Sequence, residues 1–301
     1  MKRILKAHRR RIAQARGLHA ATFPAARELA SRARDTCTML EQPAISELLA
    51  PLRADPAAAA VLFDIDGTLA PIVRHASDAT VPEQTRMLLI EMARRYGTVA
   101  CVSGRSAAVA RQMVAIGSIA YVGNHGSELL VPGAREATVD PGVARWAQRV
   151  RDFALRADTP ALQQLRIRSE DKGAIVAFHW RGAPDEGAAL VAVAALELAA
   201  LDAGLETHHG RKVLEIRPPV PLDKGRGVRW LLAEHPPAAA LYAGDDHTDV
   251  DAFAGLRDVV GAGAVCVGVR SEETPAQLEA AADFMVDGPA GVRELLELLV
   301  R

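Results

Sequence analysis

The chain has 301 residues, half of them apolar and 24% charged, enough for one large domain or two smaller ones with substantial buried cores. Its 36 basic and 37 acidic side chains leave a formal net charge of -1, which excludes the whole-molecule positive field of a nucleic-acid binder. There is no apolar run long enough for a membrane span, the basic start MKRILKAHRRR leads into polar sequence unlike a signal peptide, and Cys37, Cys101 and Cys266 form neither a CxxC pair nor a disulfide framework, so a cytoplasmic protein is expected.

In chain order, residues 1–57 are rich in Ala and Arg, with seven Lys or Arg among the first sixteen positions and no acidic residue before Glu28. They predict an N-terminal helical extension, ended by Pro51 and Pro56. Poor amphipathic spacing favours a solvated helical face over an arm that touches anions or membrane, and self-association through the extension is compatible with the pattern. From residue 58 to 131, apolar runs alternate with helical stretches: AAVLFDID, PEQTRMLLIEMARRY, GTVACVSGR, SAAVARQMVAI, SIAYVGNHG. This rhythm predicts an α/β fold, a Rossmann-like doubly wound parallel sheet covered on both faces, with functional residues at the carboxyl ends of its strands. Residues 132–217 read as an inserted α+β cap, with helices near PGVARWAQRVRDFALRA and PDEGAALVAVAALELAALDA and strand pairs around LRIRSEDKGAIVAFHWR and LETHHGRKVLEIRP. Pro218, Pro219 and Pro221 mark the return to the core, which resumes through 218–301.

The motifs fall at predicted strand ends. In VLFDIDGTL, Asp64 and Asp66 point the same way if they continue the strand, so the pair needs a cation, a shared proton, or both. An EF-hand is excluded by spacing, because the glycine is fourth and position twelve is His75; a plain acidic turn is the simple alternative. VSGRS, at 102–106, follows a second apolar strand and opens a helix, which suits an anion at Ser103 and Gly104 or a simple Ser cap. DKGRG places Lys224 at the start of another helix. AGDDHTD closes a further strand with Asp245, Asp246 and Asp249, oxygen donors that suit Mg²⁺ better than zinc unless they form only a solvated acidic loop.

Together these four strand ends resemble, in order and spacing, the haloacid-dehalogenase superfamily of phosphohydrolases over residues 58–301. The resemblance implies that Asp64 attacks phosphorus to form an aspartyl-phosphate and that Asp66 moves the proton. It further implies Mg²⁺ held by Asp64, the Asp66 carbonyl and Asp245, with Asp246 and Asp249 as further metal-site candidates, and Lys224 opposite. Asp249 would orient Lys224 or the metal's waters. Thr68, Ser103, Gly104 and Lys224 would bind the phosphate.

GNHGSE at 123–128, EDKGAIVAFHWR at 170–181, GRKVLEIRP at 210–218 and GDDHTDVDAF at 244–253 look like the trehalose-6-phosphate phosphatases. Residues matching that family's sugar contacts are Asn124, His125, Glu170, Lys172, His179, Arg181, Lys212 and Glu215. A cross-strand ion pair is the competing reading for Lys172 and Glu215, and a satisfied core histidine for His179. A small-molecule sugar phosphate would be the substrate, with no nucleic-acid or membrane partner. Same-fold alternatives are phosphatases of sucrose phosphate or a glycosyl phosphoglycerate, or a hexose-phosphate mutase. A non-catalytic sugar-phosphate-binding regulatory subunit is the alternative of another class. His208 and His209 are adjacent on a strand and face opposite ways, so they are not read as a metal pair.

Overall fold

The computed structural model describes residues 43–73 and 78–301. Most of the predicted N-terminal extension, and any self-association through it, lies outside the described residues. Its last part is the helix α1 (Pro43–Ala54), which buries Ile45, Leu49 and Leu52 in the main core. Pro51 sits inside that helix instead of ending it.

The core is one sheet of eight strands in the order β12-β11-β10-β1-β2-β3-β4-β5. Six of these are parallel: β1 (Ala59–Phe63), β2 (Thr98–Val102), β3 (Ala120–Gly123), β10 (Ala239–Gly244), β11 (Ala264–Arg270) and β12 (Phe284–Asp287). Alternation along β1 sends Val61 and Phe63 into one apolar layer and Ala60 and Leu62 into the other. Both faces are therefore dry, which is why these strands read as unbroken apolar runs. Helices α2 (Glu83–Arg95) and α3 (Ala107–Val114) connect the first three strands. The chain then adds two short antiparallel strands, β4 (Glu128–Leu130) and β5 (Thr138–Val139). Residues 138–139 thus pair with the large sheet, although the sequence places the inserted unit from residue 132.

Beyond Asp140 comes a second unit with its own apolar cluster around Phe153, Phe178, Leu196 and Ile216. Helices α4 (Pro141–Ala157), α5 (Pro160–Gln164) and α6 (Glu186–Asp202) accompany an antiparallel sheet ordered β6-β7-β9-β8. Its strands are β6 (Arg168–Asp171), β7 (Val176–His179), β8 (Glu206–Gly210) and β9 (Val213–Arg217). One face carries Val176, Phe178, Leu214 and Ile216 against the helices; the other carries Glu170, His179 and Glu215.

The return segment leads into α7 (Lys224–Leu232), and α8 (His247–Val260) follows β10. Helices α9 (Ala276–Ala281) and α10 (Gly288–Val300) complete the core. In a parallel sheet whose chain leaves β1 toward β2 on one side and is joined by β10 on the other, the gap beyond the β1 and β10 carboxyl ends is the natural ligand crevice. No helix among the described residues is long and apolar enough to cross a membrane.

Candidate active site

Asp64 follows the last residue of β1 and Asp245 the last of β10, so the two carboxylates straddle that crevice; both are buried. The chain then turns sharply at Gly67, whose φ is +88°. A Cβ there would lie 2.0 Å from Asp245 Oδ2, so glycine is required by conformation and by space together. Thr68, also buried, points its hydroxyl at Asp245 Oδ1, 3.3 Å away.

Lys224, the first residue of α7, is 3% exposed, yet its ammonium lies among carboxylates. It donates to Asp64 Oδ1 at 2.8 Å and to Asp249 Oδ1 at 2.7 Å, with Asp246 Oδ1 3.9 Å away. Burial works against its charge, but Asp249 and Asp64 outweigh burial and raise its pKa, so it stays a cation. Asp249 is the most constrained carboxylate: Tyr242 Oη and Lys224 donate to one oxygen, the Asp245 and Asp246 backbone N–H groups to the other. It orients Lys224 and ties down the start of α8. Asp246 caps that helix, accepting from the Thr248 N–H and hydroxyl.

Asp64, Asp245 and Asp249 each bring an oxygen within 4.8 Å of the others. Burial first, then mutual repulsion, pushes Asp245 up to about 7. Burial raises Asp64 well above the usual carboxylate range despite Lys224, with Asp249 and Asp245 adding to the rise. Three buried carboxylates repelling one another around a single ammonium form a donor set that a hard cation fits. The Asp66 and Asp246 side chains lie outside this group.

Asp66 instead accepts a two-pronged bond from Arg105, whose Nε and Nη2 each lie 2.7 Å from its oxygens. Ser103, buried at the end of β2, accepts the Arg105 N–H, while Ser106 caps α3 by accepting from Val109 N–H. Gly104 is pressed against the His125 ring, 2.7 Å from where its Cβ would stand. His125 occupies the left-handed region at φ 52°. Burial, then Arg217, pushes its pKa down to about 4, so the ring is neutral near pH 7.

A cavity of about 460 Å³ opens above these groups, with Asp64, Asp66, Ser103, His125 and Lys224 from the core and Glu170, Lys172, His179 and Glu215 from the second unit. Lys172 Nζ lies 2.9 Å from Glu215 Oε1, and His179 Nε2 2.8 Å from Glu170 Oε2. Burial opposes the Glu215 charge, but Lys172 and Arg217 outweigh it and bring its pKa down to about 2. Asn124 is buried just behind this wall.

Asn124, itself an expected sugar contact, is thus not part of the lining, and two more expected contacts stand elsewhere. Arg181 reaches the Arg211 carbonyl and lines a different cavity with Arg166 and Arg168; Lys212 pairs with Glu186 at 2.9 Å. Each sits in a turn, Arg181 just after β7 and Lys212 between β8 and β9. His209 pairs with Glu197 on the helix side of its sheet, whereas His208 stands opposite Glu215 on the other face, as their adjacency requires. Sequence reasoning missed Arg105, although it lies inside VSGRS; its signal is a guanidinium two residues beyond a strand-end serine.

The family described as trehalose-phosphatase matches residues 62–289. The trehalose-phosphate phosphatase of Mycobacterium marinum is 34% identical over 246 residues, 78% of this chain and 60% of that protein. The chain thus spans about 60% of the length of the curated mycobacterial relatives it matches. Among solved structures, the C-terminal domain of Candida albicans trehalose-6-phosphate phosphatase aligns with a TM-score of 0.63 at 22% identity, covering 84% of this chain and 96% of that one. A haloacid dehalogenase-like hydrolase from Bacteroides thetaiotaomicron aligns with a TM-score of 0.55 at 15% identity, over 80% and 98%. These two likenesses establish the fold. Because the family match runs from the strand before Asp64 through the Ser103 turn and Lys224 to beyond Asp245, the chain belongs to the trehalose-phosphatase family.

Proposed function

We propose that the protein is a phosphoric monoester hydrolase that converts trehalose 6-phosphate to trehalose and inorganic phosphate, the last step of trehalose biosynthesis. The observation that carries this reading is Asp64, buried at the floor of a cavity of small-molecule size, with the Lys224 ammonium 2.8 Å from its oxygen. The relatives' names supply the substrate.

In the proposed reaction an Asp64 oxygen attacks phosphorus, the bond from phosphorus to the sugar oxygen breaks, and that oxygen leaves with the electron pair and takes a proton from Asp66. Water then attacks phosphorus, Asp66 receives its proton, and Asp64 is released. Both Asp66 oxygens accept from Arg105 in the resting arrangement, so Asp66 must leave that fork to deliver a proton. Lys224 offsets the charge of the approaching phosphate, and Ser103 and the N–H groups of its turn receive the phosphoryl oxygens. Thr68 joins them if its hydroxyl turns from Asp245. Mg²⁺, held by Asp64 and Asp245, would neutralise the acid cluster and polarise the phosphate. Glu170, Lys172, His179, Glu215 and neutral His125 supply donors and acceptors for the hydroxyls of a sugar. The second unit, contributing four of these, acts as the specificity cap. Two buried free thiols, Cys101 and Cys266, suit a reducing cytoplasm.

A phosphate-release assay over trehalose 6-phosphate, sucrose 6-phosphate and glucose 6-phosphate tests the reading. Strong preference for the first is expected. Equal rates on all three refute the substrate, and tight binding without phosphate release refutes the hydrolase.

A further inference from the structure

Glu128 begins β4, half-buried, and each of its carboxylate oxygens is spoken for. Oε2 accepts from the backbone N–H of Ala107 at 2.8 Å, the first residue of α3 and the end of the Ser103–Ser106 turn. Oε1 accepts from Asn124 Nδ2 at 2.7 Å. The same Asn124 nitrogen donates to the carbonyl of Lys172 at 2.8 Å, on the turn that joins β6 to β7 in the second unit. A continuous line of hydrogen bonds therefore runs from the anion-binding turn, through Glu128 and Asn124, to the second sheet, where Lys172 also holds Glu215.

The backbone around this line has no slack. A Cβ on Gly123 would stand 2.1 Å from Ala107 N, and one on Gly126 2.3 Å from the Asp223 carbonyl. The turn from Asn124 to Gly126 is thus wedged between the helix that follows Ser103 and the helix that begins with Lys224. Asn124 and His125 both take positive φ, 46° and 52°, a conformation that surrounding contacts must hold in place. Capping of α3 would explain the bond to Ala107, since a carboxylate is favoured at a helix N-terminus. It does not explain why the second oxygen grips the side chain that grips the other unit.

We propose that Glu128 is a positioning residue that seats the second unit over the active site by fastening the Lys172 turn, through Asn124, to the start of α3. The kinetic consequence rests on the phosphatase reading; the mechanical one does not. Glu128→Gln tests both, because the amide keeps the shape but sets its own NH₂ against one of the two N–H donors whichever way it turns. Asn124→Asp breaks the same line from the other side, since a carboxylate cannot donate to the Lys172 carbonyl.

Hydrogen exchange is measured on the intact protein without substrate, comparing the 168–176 peptide with the 239–244 peptide of β10. Loss of a charge-assisted bond predicts exchange faster by about tenfold or more in 168–176 of either variant, with β10 unchanged and the double variant no worse than Asn124→Asp alone. In parallel, kcat/KM should fall about tenfold further on trehalose 6-phosphate than on p-nitrophenyl phosphate, which is too small to need the second unit. Unchanged exchange in 168–176, equal acceleration in β10, additive effects in the double variant, or equal kinetic losses on both substrates would each overturn the proposal. If wild-type protein hydrolyses neither compound, the functional reading fails while the exchange measurement still decides the role of Glu128.

Discussion

The acid cluster makes a prediction about stability that is separate from turnover. Asp245 has its pKa pushed up to about 7 from 3.8, by burial and by Asp249 and Asp246, and Asp64 and Asp249 shift in the same direction. A carboxylate whose folded-state value is raised lends stability at low pH that is lost as pH rises through the folded value. Cation-free protein should therefore gain stability on going from about pH 8 to about pH 6.5, as the folded chain takes up most of one proton that the unfolded chain does not. For Asp245 alone the gain is roughly 1 kcal/mol, or about 2–4 °C in Tm for a domain of ordinary size. The window stops there because His125, brought down to about 4, and His208, lowered chiefly by burial, cost stability as the unfolded chain protonates its histidines; for His125 this already offsets about 0.4 kcal/mol at pH 6.5 and grows below it. Saturating Mg²⁺ should reverse the sign, since the ion binds the ionised carboxylates and its affinity grows with pH. The assay is thermal unfolding at the two pH values, in chelator and in Mg²⁺, on wild type and Asp245→Asn. A cation-free Tm that falls or stays level toward pH 6.5, or an Asp245→Asn protein with the wild-type response, would refute the view that repulsion at this site is what a cation relieves.

Asp64→Asn should keep a cooperative unfolding transition, because the amide oxygen can still accept from Lys224, yet lose phosphate release by about 10⁴-fold or more; residual turnover within tenfold of wild type would remove Asp64 as the nucleophile. Lys224→Met leaves Asp64 and Asp249 buried beside each other without their cation and should cost about 3–5 kcal/mol in urea unfolding, partly recovered by added Mg²⁺. Arg181→Ala and Lys212→Ala should alter kcat/KM on trehalose 6-phosphate by less than about threefold, since their side chains stand away from the cavity; a tenfold loss would return them to the substrate.

The floor of the cavity was legible because it depends on local rules. Apolar runs such as AAVLF predict strands buried on both faces, parallel strands bring their carboxyl ends to one edge, and that edge collects Asp64, Ser103 and Asp245 while Lys224 enters from the helix opposite. Less legible were features set by partners distant in sequence. β4 and β5 have three and two residues, too short for any period to declare itself, yet they carry Glu128 and move the edge of the core past residue 132. Arg105 is visible in VSGRS, but its pairing with Asp66, 39 residues away, belongs to tertiary structure. Lys212 matches its motif by type, but φ is 61° at that position, in a tight turn between β8 and β9, and its ammonium goes to Glu186.

Lys172 and Glu215 show why competing readings of a residue need not exclude each other. The sequence offered either an ion pair or a pair of sugar contacts, and the structure has the ion pair, at 2.9 Å, on the wall of the cavity. A carboxylate held ionised by Lys172 and Arg217, with its pKa brought down to about 2, keeps its lone pairs as acceptors near neutral pH. Without those cations, a carboxylate so buried would tend to protonate and would offer less. On the proposed function the ion pair is therefore what would let a buried glutamate accept from a sugar, and the bond from Asn124 to the Lys172 carbonyl links that glutamate's partner to the core.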